Sequence, residues 1–367
     1  MAKVLIQNIA DSLNLSRTTV SKVFNNNGSV APATRERVLQ RAAEMNYKYF
    51  SLMKSSSEKQ TANPDPASTI SAVPESSASV SAPKSIAVLF SKIFDNQHIG
   101  FSLLSIFGQT VSNNNFTLSL YQVNEENLHN LSLPDSVILQ NITAILCIEI
   151  FDKKYTEMLC SLKKPILFID AYAEAIRDNL AADILLMESQ LHLSALIESI
   201  VNKYHLTRVG FVGPYMRCLS FYERWLGFHS ALQKCGLTYQ KELCILSQDD
   251  SNYFDSDWLL LYIKRMEQLP ELFVCTNDFA ALQVMTCLRQ LNISVPSDIK
   301  LIGFDNSPHA SMSSPGLTTI DSHTADIALC AAEILMMRIK NPEIPHTTVH
   351  INTKPVYRDS TSRNIHK

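Results

Sequence analysis

Glycine is scarce in this chain: 9 of 367 residues, where ordinary usage of roughly 7% would give about 26. Loops that cradle phosphate need glycine, because their backbone N–H groups must approach the ligand closely. No G-x-G-x-x-G, G-x-x-x-x-G-K-[ST] or G-x-S-x-G occurs. Nucleotide-cradling loops, a nucleophile elbow and a bound cofactor are therefore not expected. Long apolar runs are absent too; a membrane-crossing helix needs about eighteen or more such residues in sequence. The first residues show no basic segment leading into an apolar one, so no export signal is expected. The eight cysteines, at 147, 160, 218, 235, 244, 275, 287 and 330, form no Cys-x-x-Cys pair. They lie mostly in apolar runs and are not clustered with histidine as zinc requires. Buried thiols in a reducing cytoplasm, with no metal, are the expectation.

What remains is an ordinary globular composition, 46% hydrophobic and 18% charged, with room for two or three folded units. The net charge of −3 hides a division. Residues 1–50 carry seven Lys/Arg against three acids, a charge of +4, so the rest carries −7. A basic head on an acidic body suits phosphate contact by the head alone.

The head reads as short helices. Ile6, Ile9, Ala10 and Leu13 fall at i, i+3, i+4 and i+7, one helix face. Val20, Val23 and Phe24 repeat the spacing after a break at Asn14-Leu15. Ser16 is placed to cap the second helix by accepting a backbone N–H one turn in. The other stripe of that helix carries Arg17, Thr18, Ser21, Lys22 and Asn25, hydrogen-bonding and cationic groups backed by apolar anchors. Such a helix fits a DNA major groove. A third helix follows from Pro32, with Val38, Leu39, Ala42 and Met45 inward.

Residues 51–84 are rich in Ser, Ala and Pro, bury little apolar surface, and read as a flexible linker. From Ser85 short apolar runs alternate with amphipathic stretches of helix length. The runs are Ile86–Phe90, Thr117–Tyr121, Ala144–Ile148, Ile166–Ile169, Val209–Val212, Leu272–Cys275 and Lys300–Phe304. The helical stretches are Gly100–Asn113, Gln190–Tyr204, Tyr222–Cys235, Asp257–Glu267 and Asp278–Leu291. This alternation predicts an α/β fold with parallel sheets covered on both faces, and its length allows two lobes.

The head resembles the DNA-binding headpiece of the lactose-repressor/galactose-repressor family of bacterial regulators. The residues that carry the likeness are Ile9-Ala10, Leu15-Ser16, Thr19-Val20-Ser21-Lys22, Phe24-Asn25, Val30, Thr34-Arg35, Val38 and Tyr47. It resumes at Ser220-x-x-x-Arg224-x-x-Gly227-Phe228 and at Thr276-Asn277-Asp278-x-Ala280. It continues at Val295-Pro-Ser-Asp298 through Ile302-Gly-Phe-Asp305, at Leu317-Thr-Thr-Ile320, and at Tyr357-Arg358-Asp359-Ser360. Departures are equally plain. After Tyr47 comes Lys48-Tyr49-Phe50, without the family's Ala-Arg-x-Leu hinge-helix signature; in relatives that helix wedges apolar side chains into the minor groove. Leu5 and Ala31 stand where relatives carry capping Thr and Ser, and Glu188-Ser-Gln190 replaces Asp-Asn-x-x-Gly.

The resemblance implies a helix-turn-helix head over residues 1–50, the linker at 51–84, a two-lobed periplasmic-binding-protein-like domain over 85–360, and a tail at 361–367. On DNA, Arg17, Thr18 and Lys22 occupy base-reading positions, with Arg17 suited to bidentate contact with guanine. Thr19, Ser21, Asn25, Thr34 and Tyr47 suit phosphate contact and register, and Ser16 completes the DNA-binding set. The effector, commonly a sugar with purines also bound by this fold, would occupy the cleft. Arg224, Asn277 and Asp305 match contacting positions, and the loop Ser91–Gln97 usually contributes, with Ser91 and Phe94 as candidates. Asp170 ends a strand at the carboxyl edge where open α/β sheets bind ligands. Tyr253, Phe254 or Trp258 could add a stacking ring.

Plainer readings stand beside these. Arg224 could pair with Glu223 or a helix end, Asp305 and Asn277 could form turns, Asp170 followed by Ala-Tyr is a weak signal, and Phe94 could pack. His98, His205 and His309 lack partners at useful spacing and read as solvated or core side chains. The expectation is a cytoplasmic, homodimeric repressor of a pseudo-palindromic operator, under effector control and not an enzyme. One head buries too little surface for tight specific binding, hence the dimer. A solute-binding protein of the same fold is the alternative, opposed by the basic head. An enzyme would need a nucleophile, an acid–base pair or a cofactor loop, and none appears at recognisable spacing.

Overall fold

The computed structural model describes residues 6–13, 15, 16, 19, 20, 23, 34, 37, 38, 41, 84–91, 99–253 and 255–362. The chain divides into two units, residues 1–79 and 80–367. In the first unit, α1 spans Ile6–Leu13, and Ala10, Val20, Val23 and Val38 are buried, as the apolar spacing predicts. The turn ends as expected: the Thr19 N–H donates to Ser16 Oγ at 3.0 Å and the Val20 N–H to the Ser16 carbonyl at 3.2 Å. Arg41 Nε reaches Ser12 Oγ at 3.1 Å. Leu39, Ala42, Met45 and nearly all of the linker lie outside the described residues.

The second unit begins at β1 (Ser85–Phe90) and α2 (Ile99–Ser112), then β2 (Thr117–Gln122), α3 (Glu125–Asn130), β3 (Ile142–Ile148), α4 (Lys153–Ser161), β4 (Ile166–Ile169) and β5 (Asp183–Met187). It continues through α5 (Leu191–Tyr204), β6 (Val209–Val212), α6 (Leu219–Lys234), α7 (Ser256–Arg265), β7 (Leu272–Cys275), α8 (Asp278–Gln290), β8 (Lys300–Ile302), α9 (Pro308–Met312) and β9 (Thr319–Asp321). It closes with α10 (Thr324–Lys340), β10 (Thr348–Ile351) and β11 (Lys354–Val356).

The first lobe is a six-stranded parallel sheet in the order β10-β5-β4-β3-β1-β2. Its inner strands β1, β3 and β4 read as continuous apolar runs because both faces are covered. Ile86 and Val88 face a core shared with α2 and α10 (Phe107, Val111, Ile327, Ala331, Leu335). Ala87 and Leu89 face the other way, onto Tyr155 and Leu159 of α4. The second lobe has the parallel sheet β6-β7-β8, with α5 and α6 packed on one face and α7 and α8 on the other. β9 and β11 form an antiparallel pair.

The chain passes between lobes three times, at residues 188–190, 322–323 and 352–353. Helix α10 therefore belongs to the first lobe although β8 and β9 precede it. The apolar runs mark seven strands. β5, β9, β10 and β11 are not marked by them, and the helical stretches leave out α3, α4, α9 and α10. β10 is short and alternates exposed with half-buried residues, so no continuous run signals it. Residues 303 and 304, placed at the end of a strand by pattern alone, lie beyond β8.

The carboxylate of Glu188 accounts for the departure at Glu188-Ser-Gln190. It accepts the N–H groups of Gln190 and His192 at 2.9 and 3.0 Å, and that of Leu191, so the start of α5 is satisfied from the crossing itself. No helix among the described residues is long and apolar enough to cross a membrane.

Candidate functional site

Both sheets turn the carboxyl ends of their strands toward the same space between the lobes. Ser91, Glu149 and Asp170 follow β1, β3 and β4. Thr276 and Asn277 follow β7, and Asp305 follows the β8 edge. This is the edge where open α/β sheets place ligands.

Arg224, in the second turn of α6, is 2% exposed. Its guanidinium lies 3.6 Å from the centre of the Phe304 ring. One terminal nitrogen donates to the Thr276 carbonyl. The other reaches Met187 Sδ at 3.4 Å and Asp305 Oδ1 at 3.5 Å. Nε is buried and has no hydrogen-bond partner among the described residues. Arg224 thus joins three strand ends and touches the first lobe through Met187. The fork of donors it brings is largely engaged within the protein.

Asp305 has φ +109° and Asn306 has φ +53°, so the chain turns sharply here. Burial pushes the Asp305 carboxyl up to about 7. Arg224 opposes that shift, while Asp278, Glu149 and Asp170 add to it. One fifth of the Asp305 side chain stays open to solvent.

Asp278 is buried and holds this corner together. Its Oδ1 accepts from Thr319 Oγ1 at 2.6 Å and its Oδ2 from the Ser307 N–H at 2.7 Å. Burial lifts its carboxyl to about 6 against the pull of those bonds. Gly303 explains itself here: a Cβ there would sit 2.3 Å from Asp278 Oδ1.

Asp170 is brought to the cleft but is fully engaged. Its Oδ2 accepts from Ser220 Oγ at 2.5 Å, and its Oδ1 from the N–H groups of Ser220 and Ala171 at 3.2 and 2.8 Å. It stands in as a cap for α6, whose own Cys218 makes no side-chain cap bond. Asn277 caps α8 through its Oδ1, which accepts the Ala280 N–H at 2.9 Å. Ser91 Oγ donates to the Glu149 carbonyl at 2.7 Å.

Beside Asn277 a recess is lined by Arg217, Phe221, Tyr253, Phe279 and Thr276; its volume of about 30 Å³ holds a water molecule rather than a sugar ring. Tyr253 is buried, with its hydroxyl 3.0 Å from the carbonyls of Ile245 and Ser247. Trp258 packs against the Tyr253 ring at 6.0 Å between centroids and does not line the recess.

Of the sequence-predicted residues, Asp170, Arg224, Asn277, Asp305 and Ser91 thus end at the facing strand edges. Phe94 and Phe254 lie outside the described residues. On the head, Ser16 caps the second helix, Thr19 lies in that helix, and Thr34 is half-buried and helical. Arg17, Thr18, Ser21, Lys22, Asn25 and Tyr47 lie outside the described residues. Sequence reasoning did not single out Ser220, Asp278, Thr276 or Glu149 as site residues. Ser220, Thr276 and Asp278 sit inside quoted motifs, and Glu149 is an acid directly after an apolar run, the signal that would have found it.

Two family models match. One, described as bacterial regulatory proteins of the lacI family, covers residues 5–48. The other, described as a periplasmic binding protein-like domain, covers residues 202–361. The full-length alignment joins the two. The HTH-type transcriptional repressor PurR of Vibrio vulnificus (strain CMCP6) is 25% identical over 98% of both chains. The chain carries a lacI-family helix-turn-helix domain followed by a periplasmic-binding-protein-like domain.

PurR of Actinobacillus pleuropneumoniae serotype 3 is 32% identical to this regulator over 40% of the chain and 43% of its own length. The fold agrees with solved family structures. The transcriptional regulator CelR in its cellobiose complex has a TM-score of 0.62 at 18% identity, covering 97% of this chain and 99% of its own. The lac repressor dimer bound to operator and the anti-inducer ONPF has a TM-score of 0.60 at 17% identity, covering 98% and 99%. The chain is a DNA-binding transcriptional regulator.

Proposed function

We propose that this regulator is a homodimeric, cytoplasmic repressor of a pseudo-palindromic operator, released or engaged by a small neutral ligand, most simply a sugar, held between the lobes. The observation that carries the ligand reading is the meeting of Arg224, Asn277 and Asp305 with Ser91 and Glu149 at two opposed strand edges. Hydroxyl-bearing ligands need such fixed donors and acceptors, and an unpaired buried partner is costly. Two structural neighbours support the ligand class: CelR was solved with cellobiose, and a LacI family regulator from Enterococcus faecium, with a TM-score of 0.59, has bound ribose.

The residues assigned to effector contact are Arg224, Asn277 and Asp305, with Ser91 and Phe94 on the first-lobe side. Asp170 acts in this reading through Ser220, by joining the lobes. Ser16, Arg17, Thr18, Thr19, Ser21, Lys22, Asn25, Thr34 and Tyr47 meet DNA, with Arg17, Thr18 and Lys22 reading bases. The head ends near residue 50, and 51–84 connects it to the effector domain. Catalysis has no part in this reading, and the named relatives are repressors.

Selection of binding sites from a random DNA pool with the full-length protein tests it. A two-fold-symmetric motif is expected, and Arg17→Ala should flatten its most selective position. A single unsymmetrical half-site would overturn the dimeric reading. An unchanged base preference in Arg17→Ala would remove the recognition-helix assignment.

A further inference from the structure

The two lobes also touch at the outer edge of the first sheet, near the carboxyl end of β10. His350 is in β10, at the edge of the first lobe's sheet, paired in register with Leu186 of β5. Its Nε2 lies 2.8 Å from Oε1 of Glu223. Glu223 is on α6 in the second lobe, and its neighbour along the chain is Arg224. The other carboxylate oxygen of Glu223 is buried and has no partner among the described residues. His350 is therefore the identified partner of a largely buried carboxylate that belongs to the opposite lobe.

The first and third crossings are stitched together beside this pair. The Glu188 N–H donates to the Ile351 carbonyl at 2.8 Å, and Thr353 Oγ1 donates to the Glu188 carbonyl at 2.9 Å. His192 Nδ1 lies 2.8 Å from Glu188 Oε2 and 3.1 Å from Thr353 Oγ1. The pivot is thus fixed at the crossings. The His350–Glu223 contact lies between elements that must separate if the lobes rotate about it.

We propose that His350 and Glu223 form a latch across the lobe boundary, closed most firmly when the imidazole is protonated, which holds the turn of α6 carrying Arg224 against the first lobe. An imidazolium N–H donated to a carboxylate is a charge-assisted bond, roughly twice as strong as the neutral one. The charged groups acting on His350 are Glu223 from α6 and Glu188 from the first crossing, both carboxylates. His192 shares Glu188 with it. The hydrogen bond to Glu223 raises the His350 pKa above its ordinary value, against the opposing effect of burial.

The sign follows. When the lobes part, His350 loses Glu223 and its pKa falls back toward about 6.5. The latch's contribution to closure is complete below that value and is lost as the pH rises through the higher pKa of the closed form. The pair is partly exposed, so the effect on the closed-to-open ratio is modest, about two- to fivefold.

The test needs no effector and is independent of the ligand assignment. Fluorophores are introduced in the full-length protein through non-natural residues at exposed Glu157 in α4 and Lys264 in α7, leaving the eight cysteines untouched. Single-pair energy transfer then reports the lobe separation at pH 6 and pH 8. The expected result is a closed-to-open ratio two- to fivefold larger at pH 6. His350→Ala and Glu223→Gln should each remove at least half of that change. His350→Lys, with a cation that persists at pH 8, should restore closure there. Circular dichroism of each variant at both pH values checks that the fold is retained. A wild-type closed fraction that does not change with pH would overturn the proposal. So would a change of undiminished size in His350→Ala, which would shift the titration to Asp305.

Discussion

Replacing Arg224 with alanine tests the cleft most directly. The substitution removes a charged donor from the Thr276 carbonyl, which lies in a residue 1% exposed. A hydrogen bond to a charged group contributes about 1.5–3 kcal/mol. It also removes a cation held 3.6 Å from the Phe304 ring centre, out of water, worth about 2 kcal/mol when desolvated. The sum predicts a loss of about 3–5 kcal/mol in the second lobe.

Asp305 would also lose its opposing charge while Asp278, Glu149 and Asp170 remain, so it should hold its proton to still higher pH. Urea unfolding of the full-length protein reads the loss, because both tryptophans, Trp225 and Trp258, are in the second lobe and Trp225 adjoins the substitution. With a slope of about 3 kcal/mol per molar the midpoint should fall by roughly 1–2 M. Operator affinity without ligand should change little, since the head is a separate unit, whereas the response to ligand should disappear. An unchanged midpoint would refute the burial argument. A normal ligand response at full stability would remove Arg224 from the site.

Three further outcomes follow from particular contacts. Arg338 and Asp183 form a buried two-point ion pair at 2.8 Å that ties α10 to β5. Arg338→Ala should cost about 3–5 kcal/mol by leaving the buried Asp183 charge without its cation, held only by the Thr347 N–H and hydroxyl, and adding Asp183→Asn should recover part of it; additive losses by calorimetry would refute the pairing. Asp305 and Asp278 are raised to about 7 and about 6 by burial. What they contribute to stability is therefore present near pH 4 and lost as pH rises through those values. Asp305→Asn should flatten the decline in urea midpoint between pH 5 and pH 8, and parallel curves would count against it. Asn277→Ala should lose about 1 kcal/mol with the α8 cap, whereas Asn277→Asp should keep the cap yet alter ligand response; equal ligand response in both would leave Asn277 a cap alone.

The parts of the molecule that follow from local pattern were legible in the chain. Ser16 reads as a cap because a hydroxyl one turn before an apolar stripe has one obvious bond to make, and it makes it. The buried strands read as apolar runs because a parallel sheet covered on both faces admits little else. Arg224, Asn277 and Asp305 could be picked out through their motifs and strand-end positions. Asp170 is different. Strand-end position brought it to the cleft, but its neighbour Ser220 is fifty residues away, and that bond turns a free carboxylate into a fastening between lobes.

The sequence by itself determined the classes of element, the basic head with its helical stripe, and the alternation that leads to two α/β lobes, because these rest on periodicity and on neighbours a few residues apart. The tertiary structure alone decided which polar groups are spent and which remain open. Arg224 is sealed under Phe304, Asp278 is consumed at a corner that only Gly303 leaves room for, and Glu223 meets His350 across 127 residues. Long-range contacts and burial set the hydrogen-bond partners and the carboxyl pKa values, and neither is encoded in spacing along the chain.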